Sequence, residues 1–164
     1  MKKITLVFIG LLMISLSAIS QTKEGDIQIL QQYFGAEKAV LLKDYMKFTP
    51  KQDSAFWPVY NAYEKERLSL GKQRIKLIDE YMKSIEKITD SKATSLVDKG
   101  NSIEIGFKNL QKRYFASMSK AVGPIKAAQW YQFENYLNNV INLSIQESIP
   151  FIGEMEKKHD NMTK

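Results

Sequence analysis

Apolar residues recur at three- and four-residue spacing along most of the chain, and the two-residue alternation of a half-exposed strand is missing. The pattern predicts an all-α fold of four helices. The first spans about 27–47, with Ile27, Leu30, Phe34, Leu41, Leu42 and Tyr45 on its stripe. Gly35 weakens its middle by roughly 1 kcal/mol relative to Ala, so a break there is expected. The second spans about 50–87 and carries Phe56, Tyr60, Tyr63, Arg67, Leu70, Arg74, Ile78, Tyr81 and Ile85. Steps of four and three give it a coiled-coil-like seam. At ~1.5 Å per residue this helix is about 57 Å long, too long for the side of a compact ball. The third spans about 91–121, with Ala93, Leu96, Gly100, Ile103, Phe107, Leu110, Tyr114, Met118 and Ala121 in line. The fourth spans about 124–148, through Trp130, Phe133, Leu137, Val140 or Ile141, and Ile145, and Pro150 stops it.

The joints carry clear start signals. Thr49 is a strong N-cap, and Gln52 three residues later completes a capping box. Pro50 fills the first helical position, where its missing N–H costs nothing. Pro58, further inside, removes the bond to the Ser54 carbonyl and predicts a bend. Thr89-Asp90-Ser91 caps the third helix, and so short a joint makes the second and third helices antiparallel neighbours. Gly123-Pro124 ends the third helix and opens the fourth. The expected architecture is an elongated four-helix hairpin. A thin hairpin buries little apolar area alone, so a curved antiparallel homodimer along the long helices is expected.

The ends add a destination. Lys2 and Lys3, the uncharged apolar run over 4–19, and small Ala18 and Ser20 read as a signal peptide over 1–20 with cleavage before Gln21. The run is shorter than the roughly 20 residues that span a bilayer. The domain is expected over 21–153 and a disordered polar tail over 154–164. With no Cys there is no disulfide, thiolate nucleophile, Cys metal site or lipid-bearing cysteine, so a periplasmic chain without a stable membrane anchor is expected. Without Lys2 and Lys3 the 22 basic residues exceed the 18 acidic ones by only 4, and the signs are interspersed. No nucleic-acid motif is present, and nucleic acid is not an expected partner. His159, the single His, lies in the tail, so no metal is expected, and the scattered glycines form no phosphate loop, so no cofactor is expected either. No His, Cys or Ser-base pairing supports catalysis, so an enzyme is not expected.

The helix start over 48–52, with Phe56-Trp57 one to two turns inside, has a weaker copy 74 residues later. Pro50 matches Pro124, Phe56-Trp57 matches Trp130-Tyr131, and Asn61 matches Asn135. Two helix starts alike by chance, or a duplicated module, both account for it. Phe48-Thr49-Pro50-Lys51-Gln52 resembles the LTxxQ motif of the periplasmic Spy/CpxP family. Phe56-Trp57-Pro58-Val59-Tyr60-Asn61 and the stretch 126–135 resemble a branch described as refolding chaperones or as sensors linked to extracytoplasmic sigma factors. The resemblance covers about 26–150. The first motif has Phe48 in place of Leu. The second keeps Pro124 but has Gly123 in place of Thr and Lys126 in place of Gln, and so lacks the capping box.

The resemblance implies a dimeric helical cradle that binds unfolded or aggregation-prone clients without ATP. Its alternative is a regulatory periplasmic partner of an envelope-stress sensor or sigma-factor system. On the residues themselves, Arg67, Arg74, Arg113, Met82 and Met118 are candidates for client contact, with Met46 and Met155 as further adaptable side chains. The competing reading is core for the methionines and surface ion pairing for the arginines, with Glu64, Glu66, Glu80 or Glu134. Asn61, Glu134 and Asn135 read as polar pins for helix packing.

Overall fold

A computed structural model of the protein describes residues 37–150. The signal segment, the first helix before residue 37 with Gly35, and the tail with Met155 and His159 lie outside the described residues. The described residues are all-α, with four helices. Helix α1 is described over 37–46, α2 is Pro50–Ser84, α3 is Asp90–Val122 and α4 is Pro124–Ser148. A 3₁₀ turn, Ile85–Lys87, extends α2 to the end predicted for it. None of the described helices is long and apolar enough to cross a membrane.

The chain divides into two compact units. One is Thr22–Tyr136 and holds α1, α2, α3 and the first half of α4. The other begins at Leu137 and is described as far as Pro150. Its described part is the end of α4, where Ser148 Oγ donates to the Ser144 carbonyl at 2.7 Å.

Within the first unit α2 and α3 form the antiparallel hairpin that the short joint predicts. Lys99 meets Glu80, Gly100 faces Leu77, Arg74 meets Glu104 and Gly106 faces Leu70, so the register runs in opposite directions along the two helices. A Cβ at Gly106 would lie 2.9 Å from Leu70 Cδ2, so glycine here sets how closely the helices approach. The predicted stripes point inward. Phe56, Tyr60 and Tyr63 of α2 are buried, as are Leu96, Ile103, Phe107, Leu110, Met118 and Val122 of α3. Toward the start of α2, α1 contributes Leu42 and Met46, and α4 contributes Ala127 and Trp130. Pro58 lies inside α2 on an exposed position, and the helix continues through it.

The capping box at Thr49 is formed. Thr49 N donates to Gln52 Oε1 at 3.1 Å, and Gln52 N donates to Thr49 Oγ1 at 3.4 Å. The same glutamine also reaches across to α3, where its Nε2 donates to the Val122 carbonyl at 3.2 Å. The first motif thus caps the last turn of α3 where the second motif begins. Gly123 has φ 91°, a conformation that L side chains rarely adopt, and its N–H donates back to the Ser119 carbonyl at 3.1 Å. This turn is why Gly stands where the first motif has Thr. Thr49→Ala removes one cap and is expected to lower stability by about 1 kcal/mol. Gln52→Ala removes both bonds and is expected to cost more than Thr49→Ala, measured as the shift in urea midpoint.

Helix α1 ends at Met46, and Lys47 after it has a φ of 44°, left-handed and unusual for a residue with a side chain. Only residues 47–49 separate α1 from α2. Lys126 Nζ donates to the Met46 carbonyl, placing a cation at the negative end of α1. Tyr45 stacks on Phe133 of α4, with ring centroids 5.7 Å apart.

Candidate functional site

The periodicity that builds α1 places Lys38, Leu42 and Met46 four apart on one face. All three are buried. A lysine at the head of an apolar stripe needs a charge partner, since burying an unpaired ammonium is prohibitive. Two carboxylates meet it. Lys38 Nζ is 2.6 Å from Glu64 Oε1 of α2. It is also 2.7 Å from Glu134 Oε1 and donates to Glu134 Oε2 at 2.8 Å. Tyr63 OH donates to the same Oε2 at 2.9 Å. Arg67, one turn beyond Tyr63, donates from Nε to both Glu64 oxygens at 2.9 and 3.0 Å. Two cations and two carboxylates balance.

Aromatic rings wall the centre. Lys38 Nζ lies 5.6 Å from the ring centroids of both Tyr60 and Tyr63, within range of a cation–π attraction. Tyr63 meets the Trp130 ring edge to face at 5.0 Å and the Tyr114 ring at 5.5 Å. Burial, reinforced by the nearby carboxylates, pushes both the Tyr60 and Tyr63 hydroxyls well above their ordinary range, so both stay protonated. Burial also works to raise the Glu64 carboxyl, but the Lys38 ammonium and the Arg67 guanidinium outweigh it and hold Glu64 below the usual range. The Arg67 guanidinium loses solvation on burial, yet Glu64 and then Glu134 hold it above its ordinary value.

A carboxyl whose folded value is depressed stabilises the fold above its unfolded value and loses that contribution as pH falls. The Glu64 contribution is therefore complete above roughly pH 4.3 and disappears in more acidic solution. Urea midpoints measured from pH 6 downward are expected to fall more steeply in the native chain than in Glu64→Gln. Glu80 acts in the same direction: hydrogen bonds first from Lys92 and then from Lys99 hold it at about 2. It is common to both chains and drops out of the comparison.

The other candidate residues scatter. Met118 is fully enclosed in the core, as is Met46, which removes both from the accessible face expected for them. The apolar stripes to which they belong prevail over their adaptability. Arg67 belongs to the buried centre. Arg74 donates to Glu104 at 2.8 Å and lies 4.3 Å over the Phe107 ring. Arg113 pairs with Glu66, to which Tyr114 OH also donates at 2.7 Å. Met82 is exposed. Asn61 is exposed, whereas Asn135 accepts from Lys108 Nζ at 3.0 Å and ties α4 to α3. Glu134 does pin helices, as a buried charge paired with Lys38.

The paired aromatics of the two motifs share a burial pattern. Phe56 and Trp130, at matched positions, are fully buried, while their followers Trp57 and Tyr131 are half-buried. Trp57 Nε1 donates to Asp53 Oδ1 at 2.8 Å, one turn back. Sequence reasoning missed Lys38 and the enclosed Gln111 altogether. The available signal was Lys38 standing four residues before Leu42 and eight before Met46.

Among the described residues no group of three or more His, Cys, Asp or Glu side chains is placed to hold a metal ion. Comparison of the chain with protein-family models, with curated proteins and with solved structures finds no match in any of the three.

Proposed function

We propose that the protein is an ATP-independent periplasmic chaperone that holds unfolded or aggregation-prone segments on the exposed face of its helical hairpin. The observation that carries this reading is the outer surface of the α2–α3 hairpin. Val97 and Ile105 are 60% and 59% exposed, and Met82 is 43% exposed. Val97 and Ile105 are eight residues apart and share one face of α3. Charge lies elsewhere on the same hairpin: Lys92 and Lys99 pair with Glu80, and Arg74 with Glu104. Apolar positions hold greasy stretches of a client while interspersed charge steers acidic ones and keeps contacts weak. The signal-like leader supports a periplasmic setting.

Purified 21–164 is expected to suppress aggregation of an unrelated unfolding protein without nucleotide. Val97→Glu with Ile105→Glu is expected to weaken that suppression while leaving the helical circular dichroism unchanged. Absence of suppression at several-fold molar excess rejects the reading. The second reading is a regulatory role with a single periplasmic partner. A pull-down that returns one stoichiometric protein would select that role.

A further inference from the structure

The centre beneath α1 is built as a socket, and α1 is its plug. The plug offers one ammonium and two apolar side chains at four-residue spacing, Lys38, Leu42 and Met46. The socket belongs to α2 and α4: Glu64 and Glu134 as carboxylates, with Tyr60, Tyr63 and Trp130 as walls. When Lys38 leaves, Arg67 alone faces two buried carboxylates, so the open socket carries an excess negative charge and demands another buried cation. The joint that returns α1 to its own socket is three residues long, 47–49, and begins with Lys47 in the left-handed region. Short, strained joints favour opening, with the element delivered to a neighbouring copy instead.

We propose that a second copy of this chain fills the socket with its own α1, giving an exchanged dimer in which Lys38 of each chain pairs with Glu64 and Glu134 of the other. The occupant follows from complementarity, because α1 is the segment whose fit to the socket the structure displays. The exchange creates no new contact. It repeats the same ion pairs and the same Tyr45–Phe133 stack between chains and releases the left-handed turn at Lys47. It is distinct from the client-binding face on α3, and either can hold without the other.

Charge reversal tests it on chain 21–164. Lys38→Glu sets a carboxylate against two others, and Glu134→Lys sets a second cation against Lys38. Alone, each variant is expected to be a destabilised monomer. Mixed in equal amounts, they are expected to form a dimer by light scattering, with melting temperature restored toward that of the native chain. In that pair the native Lys38 of one chain enters a native socket, and the two reversed charges meet each other in the second socket. A mixture that melts as two separate variants, with no dimer mass, overturns the proposal. Should either variant fail to fold, Tyr45→Cys with Phe133→Cys supplies a second readout in a chain with no other cysteine. A short bis-maleimide is expected to give covalent dimers after concentrated refolding, and internally bridged monomers alone count against exchange. Dimers that persist unchanged in Lys38→Glu alone also overturn it, because they place the interface elsewhere.

Discussion

Glu134→Ala is expected to be among the most damaging single substitutions in the described fold. It removes the carboxylate that Lys38 and Tyr63 share and leaves the buried ammonium to compete with Arg67 for Glu64. Breaking a buried ion pair from one side costs about 3–5 kcal/mol. For a chain of this size that lowers the melting temperature by roughly 10 °C. Removing both ends is expected to cost much less. Lys38→Met with Glu134→Leu fills the space with apolar groups and leaves Glu64 paired to Arg67. Such replacement of a buried pair is often neutral or stabilising. Thermal melts of Lys38→Met, Glu134→Leu and the double variant give the coupling directly. A loss below about 1 kcal/mol for Glu134→Ala would show that the pair is hydrated and exchangeable rather than buried.

The second large effect separates two tryptophans that look alike in the sequence. Trp130→Ala is expected to destabilise by about 3–5 kcal/mol, because its ring is enclosed between Tyr63 and the rest of the core. Trp57→Ala is expected to cost clearly less. Its ring is half-buried, packs edge-on to Phe56 and Tyr60, and reaches Asp53 at the surface of the same helix. Urea midpoints measured on the two variants settle the order. Equal losses would mean that the matched aromatic pairs do not share a burial pattern after all.

The register of the core was legible in the sequence because helical burial is periodic. Phe56, Tyr60 and Tyr63 on α2, and Ile103, Phe107, Leu110 and Met118 on α3, sit on the predicted stripes and are buried. The Thr49–Gln52 capping box was legible for a related reason: donor and acceptor are three residues apart, so local geometry alone brings them together. The predicted seam of the second helix also carries Arg67 and Arg74, which pattern reading offers to client contact or to surface ion pairing. Both readings place them outside, because a periodicity scale treats every cation as outward-facing.

The charge centre was not legible. Lys38 and Glu134 are 96 positions apart, and Lys38 and Glu64 are 26 apart, so neither spacing carries any information about contact. Each residue read alone is an ordinary polar side chain on a helix. Only the folding of α1 against α2 and α4 places the three within hydrogen-bonding distance and removes water from them. The same holds for Gln52, whose bond to Val122 spans 70 positions. Elements, their caps and their inward faces follow from forces between near neighbours, which the order of residues states outright. The buried ion pairs depend on how separate helices are brought together, and linear order does not encode that distance.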